Sequence, residues 1–522
     1  MSQPVMLVLG LIVSTGLAVV SRRIQIPYPI VFIVAGTILA FVPGLPPVHI
    51  APDWIFLAIL PPLLFAAGWS TDWLVFRSAL RPILQLAIGL VIITTIAVAA
   101  LAQRLIPELS LASAFALGAI VSPTDAIAAT ATLQRFTIPR RIIGIIEGEG
   151  LVNDATALVI YGYAVAAAGA IAFSLTSAAE SFVFVAAGGV ILGLAVAWVV
   201  EIISRALARY DLTDSLIDNL LLIGAPYVAY LSGQAAHVSG ILAVAIAGIA
   251  LSRRSTAVYT PQTRLIAMNV WTLWIYLLNA FMFLAIGLQL RTFVHAGTQF
   301  FPLLPSALAI SFVVIIVRIL WVFPTAWIAR LLPIVRRADP LPPASVLALI
   351  GWTGMRGIVS LAAALALPNG FPHRETIVFI TFIVIFVTLV GQGLTLDPLL
   401  RILRLPEESD ERARELQIRL RALDVGLDRI REMQNSISDS HIRSDLTRLR
   451  AEYESRIAHL RDPEASHDHD ESPTSDIHTY AEREALRAER NAIKELRDRG
   501  EIPDEAFRRI QYDLDLAESR LH

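Results

Sequence analysis

Residues 147–159 read Glu147-Gly148-Glu149-Gly150-Leu151-Val152-Asn153-Asp154-Ala155-Thr156-Ala157-Leu158-Val159. They lie inside a run, 140–168, that is otherwise long and apolar enough to cross a bilayer. A helix through roughly 30 Å of hydrocarbon needs about 20 apolar residues. Asp154 stands 14 residues in from Arg140, which at about 1.5 Å per residue is roughly 20 Å deep. An ionisable group there costs about 2.5–3.5 kcal/mol on insertion scales and is a functional candidate by default. A lone mid-membrane carboxylate must be protonated, ion-bound or hydrated, and alternation among those states is what proton exchange requires. Working outward with the same ruler gives about thirteen spans, near 4–21, 28–42, 52–70, 81–106, 109–134, 140–168, 178–208, 214–232, 236–252, 266–290, 301–331, 343–367 and 373–396. The fold class is therefore an all-α polytopic membrane protein.

Composition agrees. Of 522 residues, 56% are hydrophobic and 16% charged, against about 25% charged in soluble domains. The charge is concentrated after Pro406, so the chain divides into a transmembrane domain, 1–400, and a helical tail, 401–522. With no cysteine, disulfides, thiolate metal sites and cysteine nucleophiles are excluded. The first apolar stretch lacks a basic region ahead of it, and Arg22 and Arg23 follow it, so it reads as a retained span and not a signal peptide. Orientation follows from the loop arginines. Alternate loops hold Arg22 and Arg23, then Arg77 and Arg81, then Arg135, Arg140 and Arg141, then Arg205 and Arg209, then Arg253, Arg254 and Arg264, then Arg330, Arg336 and Arg337; the opposite loops hold only Arg104, Arg291 and Arg374. The richer set is expected in the cytoplasm, with the N-terminus outside and the tail inside a multi-pass cell-membrane protein. In the tail, 407–460 reads as amphipathic helix, with Leu416, Ile418, Leu420 and Leu423 among charges; 462–478 reads as a polar linker, and 479–520 as two helices split at Gly500–Pro503. The His467, Asp468, His469 and Asp470 cluster falls in that linker and is read as solvated, with metal binding the alternative.

Other polar groups stand where apolar ones are expected. The fifth span contains Ser122-Pro123-Thr124-Asp125, the eleventh contains Arg318, and the twelfth contains Gly351-Trp352-Thr353-Gly354-Met355-Arg356-Gly357. By residue count Asp125, Asp154 and Arg356 converge on the middle of the bilayer, while Glu149 and Arg318 can meet nearer the cytoplasm as a structural ion pair. Glu147 reads as interfacial and solvated. Pro123 interrupts the fifth span and three glycines interrupt the twelfth. If spans 1–6 and 8–13 are two repeats around a linking seventh, the interruptions correspond. Paired broken helices crossing at the midplane mark an inverted-repeat secondary transporter. The freed backbone groups and half-helix dipoles need balancing charges, and Asp125 and Arg356 sit there. Asp125 could alternatively be a simple cap at a kink.

These strings resemble the monovalent cation/proton antiporter family, in the branch of the sodium–hydrogen exchangers and their prokaryotic relatives. The resemblance rests on Leu60-Pro61-Pro62-Leu63-Leu64-Phe65, SPTDAIA at 122–128, EGEGLVNDATALV at 147–159, the Arg318 span, GMRGIVSLAAALALP at 354–368 and VTLVGQGLTL at 387–396, in that order. It implies a homodimer whose protomers each pair a scaffold with a six-helix core moving as an elevator. It implies that Asp154 binds the monovalent cation or the proton, that Thr124, Asp125 and Asn153 help build that site, and that Glu149 pairs with Arg318. Asn153 stands where electrogenic relatives have Asp, which implies electroneutral exchange of one Na⁺ (or Li⁺) for one H⁺. Two departures matter: Ala66 stands where many members have an acidic residue, and Gly150 where many have Ser. Hard cations want oxygen ligands, by extension from Mg²⁺ and Ca²⁺, so sodium over potassium stays open.

A K⁺/H⁺ antiporter on the same scaffold is the runner-up. A channel would normally need a file of polar residues instead of one cluster. An intramembrane enzyme would need a nucleophile and base at helical spacing, a His-rich metal motif or a phosphate loop, and none appears. The expected partners are a monovalent cation, the proton and the lipid bilayer, with no nucleic acid and no cofactor beyond the transported ion.

Overall fold

Hydrocarbon offers no water to a backbone N–H or C=O, so a spanning segment must satisfy these groups internally. The structure, a computed structural model, describes residues 3–42, 52–133, 135–136, 138–168, 175–210, 212, 214–295, 298–328, 330, 341–403, 409–436, 440–461 and 476–519, and among them there is no strand. The membrane part runs α1 (Gln3–Ile24), α2 (Tyr28–Leu39), α3 (Leu60–Ser70, preceded by a widened turn at Ile55–Ile59), α4 (Trp73–Ser78), α5 (Leu80–Leu105), α6 (Leu111–Val121), α7 (Ala126–Leu133) and α8 (Arg140–Ala168). It continues as α9 (Leu175–Arg209), α10 (Ser215–Ala235), α11 (Gly240–Val258), α12 (Pro261–Phe293), α13 (Leu304–Ile328), α14 (Ala344–Trp352), α15 (Ile358–Leu365) and α16 (Arg374–Leu403).

Helix therefore falls in every stretch expected to span. Nine stretches among the described residues are long and apolar enough to cross a membrane by themselves. Boundaries shift by a few residues, inward at some ends, as where α11 starts at Gly240 and not near 236, and outward at others. Thus α12 starts at Pro261, not near 266, because Thr260 caps it, its hydroxyl accepting from Thr263 N at 3.2 Å.

Apolar side chains form two large cores. One joins Leu60, Leu64 and Phe65 of α3 to residues of α9–α12, among them Val196, Leu222, Val244 and Trp271. The other holds α5–α8 and α13–α16 together, with contributions from α2, from Ile59 and Leu63 of the α3 segment, from Phe76 of α4 and from the end of α12. A small cluster around Leu151, Ala245 and Ile249 ties α8 directly to α11.

The tail is α17 (Ser409–Ser436), α18 (Ser440–Arg461), α19 (Asp476–Asp498) and α20 (Asp504–Ser519). The single helix expected over 407–460 is two, one ending at Ser436 and the next starting at Ser440. The pair closes on itself through Leu423, Leu427 and Ile430 against Leu446, Leu449 and Tyr453. Helix starts again at Asp476, inside the expected linker; the His467–Asp470 cluster lies outside the described residues.

Helix α20 docks on the membrane part. Asp504 Oδ2 accepts from Trp73 N at 2.8 Å, and Asp72 Oδ2 accepts from Glu505 N at 3.3 Å, so two helix N-termini exchange caps. Arg508 donates to Ser70 O at 2.6 Å, and Arg264 holds Asp515 in a buried ion pair. Arg140, at the start of α8, lies 3.5 Å from Glu505 and 3.8 Å from Glu415.

One tail carboxyl makes this docked unit sensitive to pH. Burial of Glu489 in α19 pushes its pKa up from 4.5 to about 7. The folded value exceeds the unfolded one, so the stabilising contribution is full below about 4.5 and lost as pH rises through about 7. Hydrogen-exchange protection in α19, corrected for intrinsic rates, should fall across that window in the wild type and stay level in Glu489→Gln. A slope that persists in the variant assigns the effect to another group.

Candidate functional site

Pro123 lacks an N–H, and the helix over 111–133 stops at Val121 and restarts at Ala126. The glycine-rich stretch stops a second helix at Trp352 and restarts it at Ile358. The two gaps face each other and satisfy one another's backbone. Asp125 N donates to Met355 O at 2.8 Å. The Arg356 guanidinium, fully buried, donates to Val121 O at 3.1 Å and to Gly354 O, while Arg356 N donates to Thr388 Oγ1 at 3.1 Å. A guanidinium thus lies against the carbonyl end of α6, the negative pole of a half-helix. The approach is close enough to require glycine: a Cβ on Gly357 would stand 1.8 Å from Asp125 Oδ2.

Asp125 does two things at once. Its Oδ1 accepts from Ile127 N at 2.9 Å and Ala128 N at 3.2 Å, capping α7. Among the described residues its Oδ2 is buried with no hydrogen-bond partner.

Helix α8 faces these gaps with two different sides. At about 100° per residue, positions seven apart coincide and positions four apart lie nearly so. Glu149 and Asn153 share one face. There Arg318 grips Glu149 bidentately, Nη2 to Oε2 at 2.8 Å, with Arg318 Nε on Ile350 O at 3.0 Å. Thr124 Oγ1 donates to Glu149 Oε1 at 2.8 Å and accepts from Asn153 Nδ2 at 2.8 Å. The result is a buried chain Arg318–Glu149–Thr124–Asn153 that fixes the first gap against α8 and α13.

Glu147 and Asp154 share the other face. Both line a cavity of about 330 Å³, together with Thr124, Asp125, Gly150, Tyr28, Ser70 and Ser360. Asp154 is 6% exposed and takes no hydrogen bond or ion pair from the described residues. The cavity lies where the two apolar cores meet, with Leu60 and Leu64 on one wall and Asp125 and Asp154 on the other. It reaches to Ser70, whose carbonyl Arg508 of the tail contacts.

Of the four residues read as ion-binding, Asp154, Asp125 and Thr124 form the cavity wall. Asn153 does not, because a neighbour of Asp154 must point about 100° away from it on a helix. Glu147, read as solvated, is half-buried in the wall. Its seven-residue spacing from Asp154 was the available signal. Tyr28 and Ser360 carry no pattern that would place them here. Ala66 and Gly150 both lie in the wall, and a serine at 150 would crowd Ala126, since a Cβ there meets Ala126 Cβ at 2.6 Å. Among the described residues no group of three or more His, Cys, Asp or Glu could hold a metal ion.

Known proteins carry the same frame. The family described as "Sodium/hydrogen exchanger, transmembrane" matches residues 9–402. The Escherichia coli (strain K12) protein YjcE, described as an uncharacterized Na⁺/H⁺ exchanger, is 30% identical over 537 residues, covering 99% of this chain and 98% of its own. A Bacillus subtilis (strain 168) protein named sodium, potassium, lithium and rubidium/H⁺ antiporter is 30% identical over 508 residues, covering 94% of this chain and 74% of its own. Among solved structures, the sodium proton antiporter MjNhaP1 from Methanocaldococcus jannaschii at pH 8 has a TM-score of 0.59 at 17% identity, covering 76% of this chain and 98% of its own. At that identity the likeness is one of fold.

The Glu149–Arg318 pair can be tested apart from transport. Removing one partner of a buried pair leaves an uncompensated charge and costs about 3–5 kcal/mol. Glu149→Gln and Arg318→Met should each lower the unfolding midpoint in detergent, and the double variant should recover much of the loss. Additive losses would show that the two side chains are energetically independent.

Proposed function

The chain belongs to the sodium/hydrogen exchanger family, whose members are transporters and not enzymes, and from that premise we propose that it exchanges Na⁺ or Li⁺ for H⁺ one for one, with Asp154 as the shared carrier. The observation that carries this reading is the contrast on α8. Glu149 is neutralised by Arg318, whereas Asp154 faces the cavity with its carboxylate unengaged. A cation can bind such a carboxylate, and a proton can replace it. Asp125 Oδ2 and the Thr124 hydroxyl supply further oxygens; Asn153 holds Thr124 in place and contributes no titrating charge. Arg356 balances the gap. Glu147, on the same face as Asp154, draws cations inward.

On this reading the core carrying α5–α8 and α13–α16 moves as an elevator against the scaffold of α3 and α10–α12. A cavity placed between the two cores supports that division. The working unit is a homodimer. The tail docks on the face that holds Arg140, Arg253 and Arg264, which supports an inside tail and an outside N-terminus. Residues 1–400 perform exchange and 401–522 modulate it. A second cation reading has its own support: the Bacillus subtilis relative's name includes potassium, and Ala66 and Gly150 withhold two oxygens from the wall. K⁺/H⁺ exchange is therefore the alternative to be separated by experiment.

Reconstitution in liposomes with a pH dye tests these points together. Asp154→Asn should abolish cation-driven proton movement while leaving a folded protein, since Asn is nearly isosteric but cannot exchange a proton. In the wild type, competition for one site makes the rate bell-shaped in pH: protonation blocks loading at low pH, and the return leg lacks a proton at high pH. Raising sodium should move the acidic limb to lower pH, and a valinomycin-clamped potential should leave the rate unchanged. An acidic limb indifferent to sodium would overturn competition, and voltage dependence would overturn electroneutrality. Potassium driving exchange as well as sodium would decide for the alternative cation. Truncation before residue 407 should keep turnover within a few-fold and shift its pH dependence; a folded but inactive truncation would contradict the division of labour.

A further inference from the structure

Asp218, near the start of α10, is 1% exposed, and among the described residues neither of its carboxylate oxygens forms a hydrogen bond or an ion pair. It does not serve as the helix cap, because Asp214 Oδ1 already accepts from Leu216 N at 3.1 Å. Two more buried oxygens nearby are in the same condition. Ser204, near the end of α9, is 2% exposed, and Tyr259, the residue after α11, is 4% exposed; neither hydroxyl has a hydrogen-bond partner among the described residues. Ser204 lies near enough to act on both Asp218 and Tyr259, and Asp218 acts on Tyr259 in turn. Glu201, one turn before Ser204 on the same face of α9, is spent differently, because Arg205 pairs with one of its oxygens and Arg254 of α11 with the other. The buried negative charge left uncompensated in this cluster is therefore that of Asp218.

We propose that Asp218, Ser204 and Tyr259 hold a monovalent alkali cation, at a site on the tail-bearing face and apart from the exchange cavity. A carboxylate taken out of water must be paired, and no described guanidinium, amide or hydroxyl bonds this one. Oxygens that lie close without bonding one another are what a cation between them produces. With ligands at about 2.4 Å, by extension from Ca²⁺, neighbouring oxygens at right angles stand about 3.4 Å apart, beyond a good hydrogen bond. A carboxylate and two hydroxyls are the oxygen donors that a hard cation takes. One uncompensated carboxylate matches one positive charge, and the guanidiniums of Arg205 and Arg254 on neighbouring Glu201 disfavour a divalent ion. The site is also tied to the tail. Tyr259 O accepts from Arg264 Nη1 at 2.6 Å, and Arg264 grips Asp515 of α20. A cation that fixes the Tyr259 side chain thus steadies the carbonyl on which this ion pair rests.

Binding here does not require Asp154, so the test uses the full chain carrying Asp154→Asn, in which the exchange carboxylate is gone. It is melted in detergent in sodium, potassium or choline chloride at matched ionic strength, and separately in magnesium chloride. Binding to the folded state raises the unfolding midpoint. Sodium or potassium should therefore raise it above the value in choline, and adding Asp218→Asn should remove the rise. Should that variant misfold, Ser204→Ala keeps the test decisive, its midpoint in choline serving as the folding control. It should require about tenfold more alkali cation for the same rise, since one oxygen contact to a charge is lost. No rise in Asp154→Asn, a rise that survives Asp218→Asn, or a Ser204→Ala response equal to that of its parent would overturn the site. A rise with magnesium alone would overturn the monovalent occupant. Hydrogen exchange in α20 should slow with the same cation, and protection indifferent to it would overturn the tie to the tail.

Discussion

Two interrupted helices can lie side by side in a membrane only if each gap satisfies the backbone that the other leaves open. An unsatisfied N–H or C=O in hydrocarbon costs several kcal/mol, and here the interruptions leave several such groups near one another. The bond from Asp125 N to Met355 O and the reach of Arg356 to Val121 O and Gly354 O close the account between them. Gly357 is what permits the distance, since any side chain there would occupy the space of the Asp125 carboxylate. The arrangement of everything nearby follows from keeping these two stretches in register.

Helix α8 is the part that converts this register into chemistry. It is unbroken over 29 residues and packs against the first gap, so the helical repeat decides what each of its polar side chains can meet. Glu149 and Asn153 are spent on structure through Thr124 and Arg318. Glu147 and Asp154, on the other face, are left to the cavity. Two carboxylates five residues apart on one helix thus come to opposite conditions, one locked in a bidentate pair and the other unengaged. The distinction needs no difference in residue type. It needs only the roughly 140° that five residues turn on an α-helix.

Much of this was legible in the sequence because its causes are local or periodic. Apolar run length located the helices, Pro123 and the glycines of 351–357 located the gaps, and depth counting brought Asp125 and Asp154 to one cavity, while Arg356, counted to the same depth, lies against Val121 O and Gly354 O and not in that wall. Depth alone cannot assign faces, however, so it neither places Glu147 in the wall nor turns Asn153 away from it. Tyr28 and Ser360 reach the wall through packing between helices distant in the chain, which no single-stretch pattern encodes. The same holds for Asp72 and Asp504, whose exchanged caps join helix ends more than 400 residues apart. The parting of α17 from α18 is hidden by the amphipathic period, which runs through it and favours one helix.

The composition of the cavity wall bears on which cation it would carry. On the proposed reading the protein oxygens around the cavity include the carboxylates of Asp154 and Glu147, Asp125 Oδ2 and the hydroxyls of Thr124, Tyr28, Ser70, Thr130 and Ser360, while the side chains of Ala66 and Gly150 add none. A cavity of about 330 Å³ is far larger than a bare alkali cation and has room for several waters. A cation in it can therefore keep part of its hydration shell, and water, which adjusts its distance freely, fills whatever positions the protein leaves open. Selectivity by a rigid cage requires the protein to fix most ligand distances itself. A wall that fixes few of them discriminates mainly through the charge density that Asp154 meets, which favours the smaller ion but by a modest margin. The loss of two wall oxygens is thus tolerable for exchange as such and felt chiefly in how sharply sodium is told from potassium.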